Sequence, residues 1–339
     1  MKKLNVLYLS DDNYAAFAGV SIYSLLVNNV DYDSIKIYVI DDNISEENKR
    51  KLHTTVSSFG REIVFLDLSE AVSKLKSIGV PAYRSSYTTY LKLFAFGQID
   101  QSDGRVLFVD SDSVVVGQID DLSSFNMGEN AIAAVKDSLY VRELVEDDGI
   151  EYGLPYFNMG VMLVDLKKWH ALSYEKKVID LLKRRCHFFA ADQDILNTIA
   201  NGRISCLPPR FNCTPHLHDY SYKGILRVFP QKDYYAVDLF EEAKKRPVIH
   251  HFERYIGQQP WIKNNHHPFS KEYDYYLAKS PWAGLAKQKK KMSFVFRVEV
   301  FLYILLPHAL FLPIFAFGFK NYVKKTISLL RKKRLSVIN

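Results

Sequence analysis

Val106-Leu107-Phe108-Val109-Asp110-Ser111-Asp112 is a short apolar run that ends in two acids one residue apart. Four bulky residues in succession suit a strand buried on both faces, as in a parallel sheet covered by helices. Side chains alternate along an extended chain, so Asp110 and Asp112 leave the strand end on the same side. Two carboxylates so placed repel each other unless a proton or a cation sits between them. Their oxygens suit a hard divalent ion such as Mn²⁺ or Mg²⁺. A strand ending in ordinary polar residues has the same pattern, so the surrounding segments decide what it means.

Upstream, Leu4–Ser10, Ile35–Ile40 and Glu62–Leu68 are short, apolar and rich in β-branched or aromatic residues, and Ala131–Val135 follows downstream. These read as further buried strands. Tyr14–Val27, Glu46–Ser57 and Tyr87–Phe96 have helical length and spacing, and Ser45 before Glu46-Glu47 is an N-cap with acids in the first turn. Strand–helix alternation predicts an α/β fold, a mostly parallel sheet flanked by helices. Ligands of such sheets lie beyond the carboxyl ends of the strands. Those ends are polar here. Ser10-Asp11-Asp12-Asn13-Tyr14 closes the first strand, and Tyr156-Phe157-Asn158-Met159-Gly160 opens an apolar one. Asp192-Gln193-Asp194 starts a helical segment, Ile195–Ala200, while Val248-Ile249-His250-His251-Phe252 is a strand that delivers two histidines able to complete a metal shell. Neither GxxxxGK[ST] nor GxGxxG occurs, which removes the usual phosphate loops.

Taken in order, these segments resemble glycosyltransferase family 8, which includes bacterial lipooligosaccharide galactosyltransferases and glycogenin. The resemblance runs over about residues 4–261. It rests on Asp11-Asp12-Asn13-Tyr14-Ala15-Ala16, on Val39-Ile40-Asp41-Asp42 with Ile44-Ser45-Glu46-Glu47, and on Val109-Asp110-Ser111-Asp112. Tyr156–Gly160 through Trp169, Asp192-Gln193-Asp194-Ile195-Leu196-Asn197 and Pro260-Trp261 complete the set. It implies a GT-A-type fold and a retaining transfer of a hexose, galactose or glucose, from UDP-hexose to a cell-surface glycan or lipid-linked acceptor in polysaccharide biosynthesis. Asp110, Asp112 and His251 would hold Mn²⁺, or Mg²⁺, with His250 the alternative third ligand. Asp11, Asn13 and Tyr14 would contact uridine. Asp192, Gln193 and Asn158 would surround the donor sugar, Gln193 on the face where a nucleophile would stand. Asp137 would lie near donor and acceptor, and Asp137 and Asp194 are candidate covalent partners. Two positions depart from the family pattern. Lys92 stands where an arginine is usual, which keeps the charge but loses the planar fork. Gln259 stands where a lysine before Pro-Trp holds the diphosphate, with Lys263 or Arg254 as candidate substitutes. A nucleotidyltransferase, a silent UDP-sugar-binding protein and a basic membrane or nucleic-acid adaptor are the rival readings.

With 48% apolar residues the chain can bury a large core, and it shows no internal repeat. Met1-Lys2-Lys3 followed by the short run Leu4–Leu9 lacks the longer apolar region and cleavage site of a secretory signal. Cys186, Cys206 and Cys213, odd in number and without CxxC spacing, fit reduced thiols in the cytoplasm. The net charge of +7 is unevenly spread, because twelve basic residues against one acid, Glu299, lie from Lys287 onward. The preceding body is therefore net acidic, which argues against nucleic-acid binding and for a specialised tail. Within that tail Val300–Phe319 carries no formal charge and contains Pro307, Pro313 and Gly318. Basic clusters flank it on both sides, so a single span would carry one of them across the membrane, against the positive-inside tendency. The expected organisation is a catalytic domain over 1–265, a helical connection over 266–286 and an amphipathic, apolar and basic helical tail over 287–339. That tail would rest peripherally on the anionic inner face of the cytoplasmic membrane.

Overall fold

The computed structural model describes residues 2–147, 149–150, 153–253 and 255–338. Among the described residues nine strands form two sheets: β1 (Lys3–Asp11), β2 (Ser34–Asp42), β3 (Glu62–Asp67), β4 (Arg105–Val109), β5 (Ser113–Val115), β6 (Ile132–Lys136), β7 (Phe157–Asp165), β8 (Ile204–Cys206) and β9 (Ile249–His251). The main sheet has the order β3-β2-β1-β4-β7-β6-β8, and β5 and β9 make a separate pair. β4 runs parallel to β1, whereas β7 is antiparallel to both β4 and β6. The sheet is thus mostly parallel, with β7 reversed in its middle. That reversal brings the start of β7 beside the carboxyl end of β4.

Alternation along β4 is visible in the core. Leu107 and Val109 join the apolar cluster that includes Phe17, Val20 and Leu25 of the helix Ala15–Asn28. Val106 and Phe108 join the opposite cluster, with Leu91 of the helix Thr88–Ala95 and Ile195 of the helix Ala191–Ala200. Both faces are covered, which is why these strands read as continuous apolar runs. The helix Glu46–Ser57 starts at Ser45, whose side chain accepts a hydrogen bond from the Asn48 N–H. In the helix Ser270–Leu277, Tyr273 and Tyr276 are packing residues and Tyr275 is exposed.

The apolar run Val300–Phe319 is split between two helices, Phe294–Leu305 and His308–Ile338. Leu306 between them is extended, at ψ 144°, as the residue before Pro307 must be. One face of this pair belongs to a third core cluster. Val300, Tyr303, Phe311, Leu312, Ala316, Val323 and Ile327 pack with Tyr140, Leu144, Phe229 and Phe240 of the body. Ion pairs tie down the far end: Arg331 and Arg334 lie 2.7 Å and 2.9 Å from the carboxylate of Asp147, and Lys324 lies 3.0 Å from Glu143. The other face presents large apolar side chains to solvent, among them Phe294 (74% exposed), Phe301, Leu310 and Phe317 (73% exposed). Among the described residues no helix is long and apolar enough to cross a membrane.

Candidate active site

The ends of β1 and β4, the start of β7 and the first turn of the helix Ala191–Ala200 surround a cavity of about 600 Å³. Its wall includes Asp11, Tyr14, Lys92, Asp110, Asp112, Asn158, Gly160, Asp192, Gln193 and His251. Local structure explains the convergence. The β4 end is held by the Asp110 N–H donating to the Gly160 carbonyl at 2.7 Å and by the Ser111 hydroxyl donating to the Leu9 carbonyl at 2.5 Å. Chain direction then changes, and β5 pairs Ser113 with His251 of β9, which carries that histidine to the two acids. Between Ala134 and Val135 of β6 the register shifts, β7 advancing from Met162 to Asn158 across that single step. This bulge lays Met159–Val161 against the site, a common use of bulges beside active sites.

Ligating atoms of Asp110, Asp112 and His251 lie within 4.8 Å of one another. The His251 Nε2 is 3.4 Å from Asp112 Oδ1 and 3.7 Å from Asp110 Oδ2. Its Nδ1 is 3.0 Å from Asn212 Oδ1, and Asn212 in turn donates to Asn158 at 2.8 Å. Donation from Nδ1 to Asn212 leaves the Nε2 lone pair aimed at the carboxylates, the support that a metal-bound imidazole requires. Gly160 faces this cluster, and a Cβ there would lie 2.2 Å from His251 Cε1 and 2.9 Å from Asp110 Oδ2. Only glycine leaves the socket open. Burial pushes the Asp110 carboxyl up to about 6, with Lys92 opposing and Asp112 adding to the rise. Burial alone would lower His251, but Asp112 and Asp110 overcome it and raise the imidazole to about 9. The two carboxylates thus favour the protonated imidazole. Two acids and an imidazole tied to an amide fit one divalent cation of the Mn²⁺ or Mg²⁺ type. His250 does not join them. It stacks on Phe269 with ring centroids 3.8 Å apart, and burial lowers its pKa to about 3.

Lys92 is 3% exposed and lies behind the acids, not in front of them. Its ammonium pairs with Asp192, lies 3.6 Å from Asp110 and donates to the Met159 carbonyl at 3.1 Å. Burial works against this charge, and the two carboxylates outweigh it and hold the pKa above the ordinary lysine value. Gln193 is fixed at both ends: its amide donates to Asp137 Oδ2 at 3.0 Å and its oxygen accepts from the Met159 N–H at 3.2 Å. Asp137 thus stands one hydrogen bond behind Gln193, its pKa raised first by burial and then by Glu253. Tyr14 is half exposed and meets Trp261 edge-on at 6.4 Å, while Trp261 stacks on Phe17 at 4.0 Å. Pro260-Trp261 therefore buttresses the Tyr14 ring.

Four expected site residues are not on the cavity wall, the first being Asp137, which reaches it only through Gln193. Asp194 is fully buried, where it accepts from the Tyr156 hydroxyl and the Ala190 N–H, because two residues along a helix turn it away from the face of Asp192. Asn13 lies exposed in the turn before Tyr14. Gln259 lines a separate cleft with Lys290 and Lys291. Lys263, a candidate to replace the missing lysine, is likewise off the wall, and Arg254 lies outside the described residues. Sequence reasoning missed Asn212, Glu253 and Arg84. The last two line the cavity, and none belongs to a periodic or motif-like stretch.

A helix-flanked sheet with paired acids at a strand end, an aromatic platform beside them and a histidine closing the triad defines a glycosyltransferase of the GT-A type. The chain belongs to glycosyl transferase family 8, whose sequence model matches residues 5–265. General stress protein A of Bacillus subtilis (strain 168) is 29% identical over 287 residues, covering 82% of this chain and 94% of its own. The lipopolysaccharide 1,2-glucosyltransferase of Escherichia coli (strain K12) is 28% identical over 298 residues, covering 87% and 83%. The solved structure of galactosyltransferase LgtC with donor and acceptor sugar analogues shares the fold, with a TM-score of 0.68 at 22% identity, over 87% of this chain and 99% of that one.

Proposed function

We propose that this chain transfers glucose or galactose from the UDP-hexose to a cell-surface glycan or glycolipid acceptor, with retention and with Mn²⁺ as cofactor. The observation that carries the reading is the Asp110–Asp112–His251 cluster, open to a cavity that Gln193 also lines. These three residues would hold the ion, which supplies Lewis-acid stabilisation of the diphosphate when bound. Tyr14, propped by Trp261, is the platform for uracil. Gln193 is neutral and both ends of its amide are occupied, so it is a poor nucleophile. The bond from the anomeric carbon to the β-phosphate oxygen breaks, and its electron pair leaves on UDP. The acceptor hydroxyl oxygen bonds to the same face, and its proton passes to the departing phosphate oxygen. Gln193 and the Asp137 behind it orient the sugar for that approach.

The organisation that accompanies this reading is a catalytic domain over 1–265 and a tail over 287–339 that rests on the inner face of the cytoplasmic membrane. Exposed Phe294, Phe301, Leu310 and Phe317 beside exposed Lys289, Lys324 and Lys325 support it. Apolar contact and basic charge are two independent attachments to an anionic surface. The inner face of the same helices is occupied by the body, so lipid meets only the outer one. The test is UDP release across a panel of UDP-sugars with Mn²⁺. A UDP-hexose should be turned over and excess chelator should abolish the signal, whereas full activity in chelator defeats the metal assignment.

A further inference from the structure

A diphosphate diester carries two negative charges, and departing UDP gains another, more than one divalent cation neutralises. Gln259 cannot supply the rest, being neutral and in another cleft. Among the described residues one lysine and one arginine line the active-site cavity, Lys92 and Arg84, while His251 is committed to the metal cluster. Lys92 is spent, its three N–H groups facing Asp192, Asp110 and the Met159 carbonyl. Resting on the UDP-sugar reading, we propose that Arg84 grips the donor diphosphate and takes over the task of the absent lysine.

The turn that carries Arg84 supports this. Tyr83 and Ser86 exchange backbone hydrogen bonds at 2.8 Å and 3.0 Å, so Arg84 and Ser85 form a two-residue loop. Both have left-handed backbones, φ 49° and 70°, where Asn-Gly is the usual choice. Two side-chain-bearing residues in this region are strained, and such strain persists where surrounding contacts over-determine it. The flanks are pinned here: the Tyr83 hydroxyl donates to the Phe189 carbonyl at 2.7 Å, and the Thr88 hydroxyl bonds Asp42. Arg84 itself is exposed and rests on the Tyr83 ring at 5.1 Å, with no carboxylate partner among the described residues. A guanidinium on the wall of this cavity matches phosphate oxygens two at a time.

Calorimetric titration of the full chain with UDP and with uridine, in Mn²⁺, tests the proposal. Arg84→Asn removes the charge while asparagine tolerates the left-handed backbone. It should weaken UDP binding about tenfold or more, the worth of a charged hydrogen bond, and leave uridine within about twofold. Arg84→Lys should recover part of the loss. UDP affinity unchanged in Arg84→Asn overturns the proposal, as does a parallel loss of uridine affinity, which marks a structural role. A loss confined to Arg254→Ala assigns the grip elsewhere and also overturns it. If the unmodified chain fails to bind UDP, the donor reading falls and this inference with it.

Discussion

His251 shows how little of a catalytic site is a property of single residues. Beside Asp112 and Asp110 its pKa stands near 9, so in the metal-free protein it is charged at neutral pH. A folded pKa above the ordinary value of 6.5 contributes stability in full below that value and loses it as pH rises through about 9. Metal binding runs the other way, since the ion must displace the proton. Mn²⁺ affinity should therefore climb about tenfold per pH unit from 7 to 9 and level off beyond, as read by titration calorimetry. An affinity flat across that range would contradict the raised imidazole pKa. Lys92 gives a second prediction at this scale. Replacing it with methionine leaves Asp110 and Asp192 without their shared cation, which should cost roughly 3 kcal/mol in denaturant unfolding, the lower end for a broken buried pair because both acids are partly exposed. Asp110 and Asp112 were legible in sequence because they stand one residue apart just beyond β4, in the bend that leads to β5. The choice between His250 and His251 was open from the residues themselves, and only the β5–β9 register decides it. Asn212, which orients the imidazole, sits in a loop with no pattern to announce it.

Among the elements, the two tail helices diverge most from what the residues alone suggested. Their apolar run and basic flanks were plain, but the chain was expected to lie in the membrane surface as a unit. An apolar run cannot say which of its faces will find a protein partner, and here the body takes one of them. The two faces make opposite predictions. Phe311→Ala removes a side chain 1% exposed and should cost about 3–5 kcal/mol, with a clear fall in melting temperature. Phe294→Ser with Phe317→Ser alters side chains that touch solvent and should leave melting unchanged while reducing sedimentation with anionic vesicles. Equal sedimentation of that double variant and the unmodified chain would remove the membrane role of the outer face. The helix Ala191–Ala200 teaches the same lesson on a smaller scale. Asp192 was expected at the donor sugar and Asp194 as a candidate covalent partner, yet helical geometry sends the first to the cavity and the second into the core.

For the whole molecule, strand–helix alternation was enough to place the ligand site, because polar residues collected at the carboxyl ends of otherwise apolar strands. What alternation could not reveal is the reversal of β7 and its bulge, since a strand buried on both faces reads the same in either direction. That reversal puts Asn158, Gly160 and the backbone of Met159 opposite Asp110 and makes the cavity one-sided. Gln193 shares that cavity with the Asp110–Asp112–His251 cluster, and on the proposed reading it would stand at the donor sugar. Gln193→Ala should lower turnover by about a hundredfold while changing UDP affinity only a few-fold, the pattern of a residue acting in the transition state. Same-face transfer from a UDP-hexose is decided by proton NMR of the first-formed glycoside. An α-linked product should appear in step with UDP; a β-linked first product rules same-face transfer out.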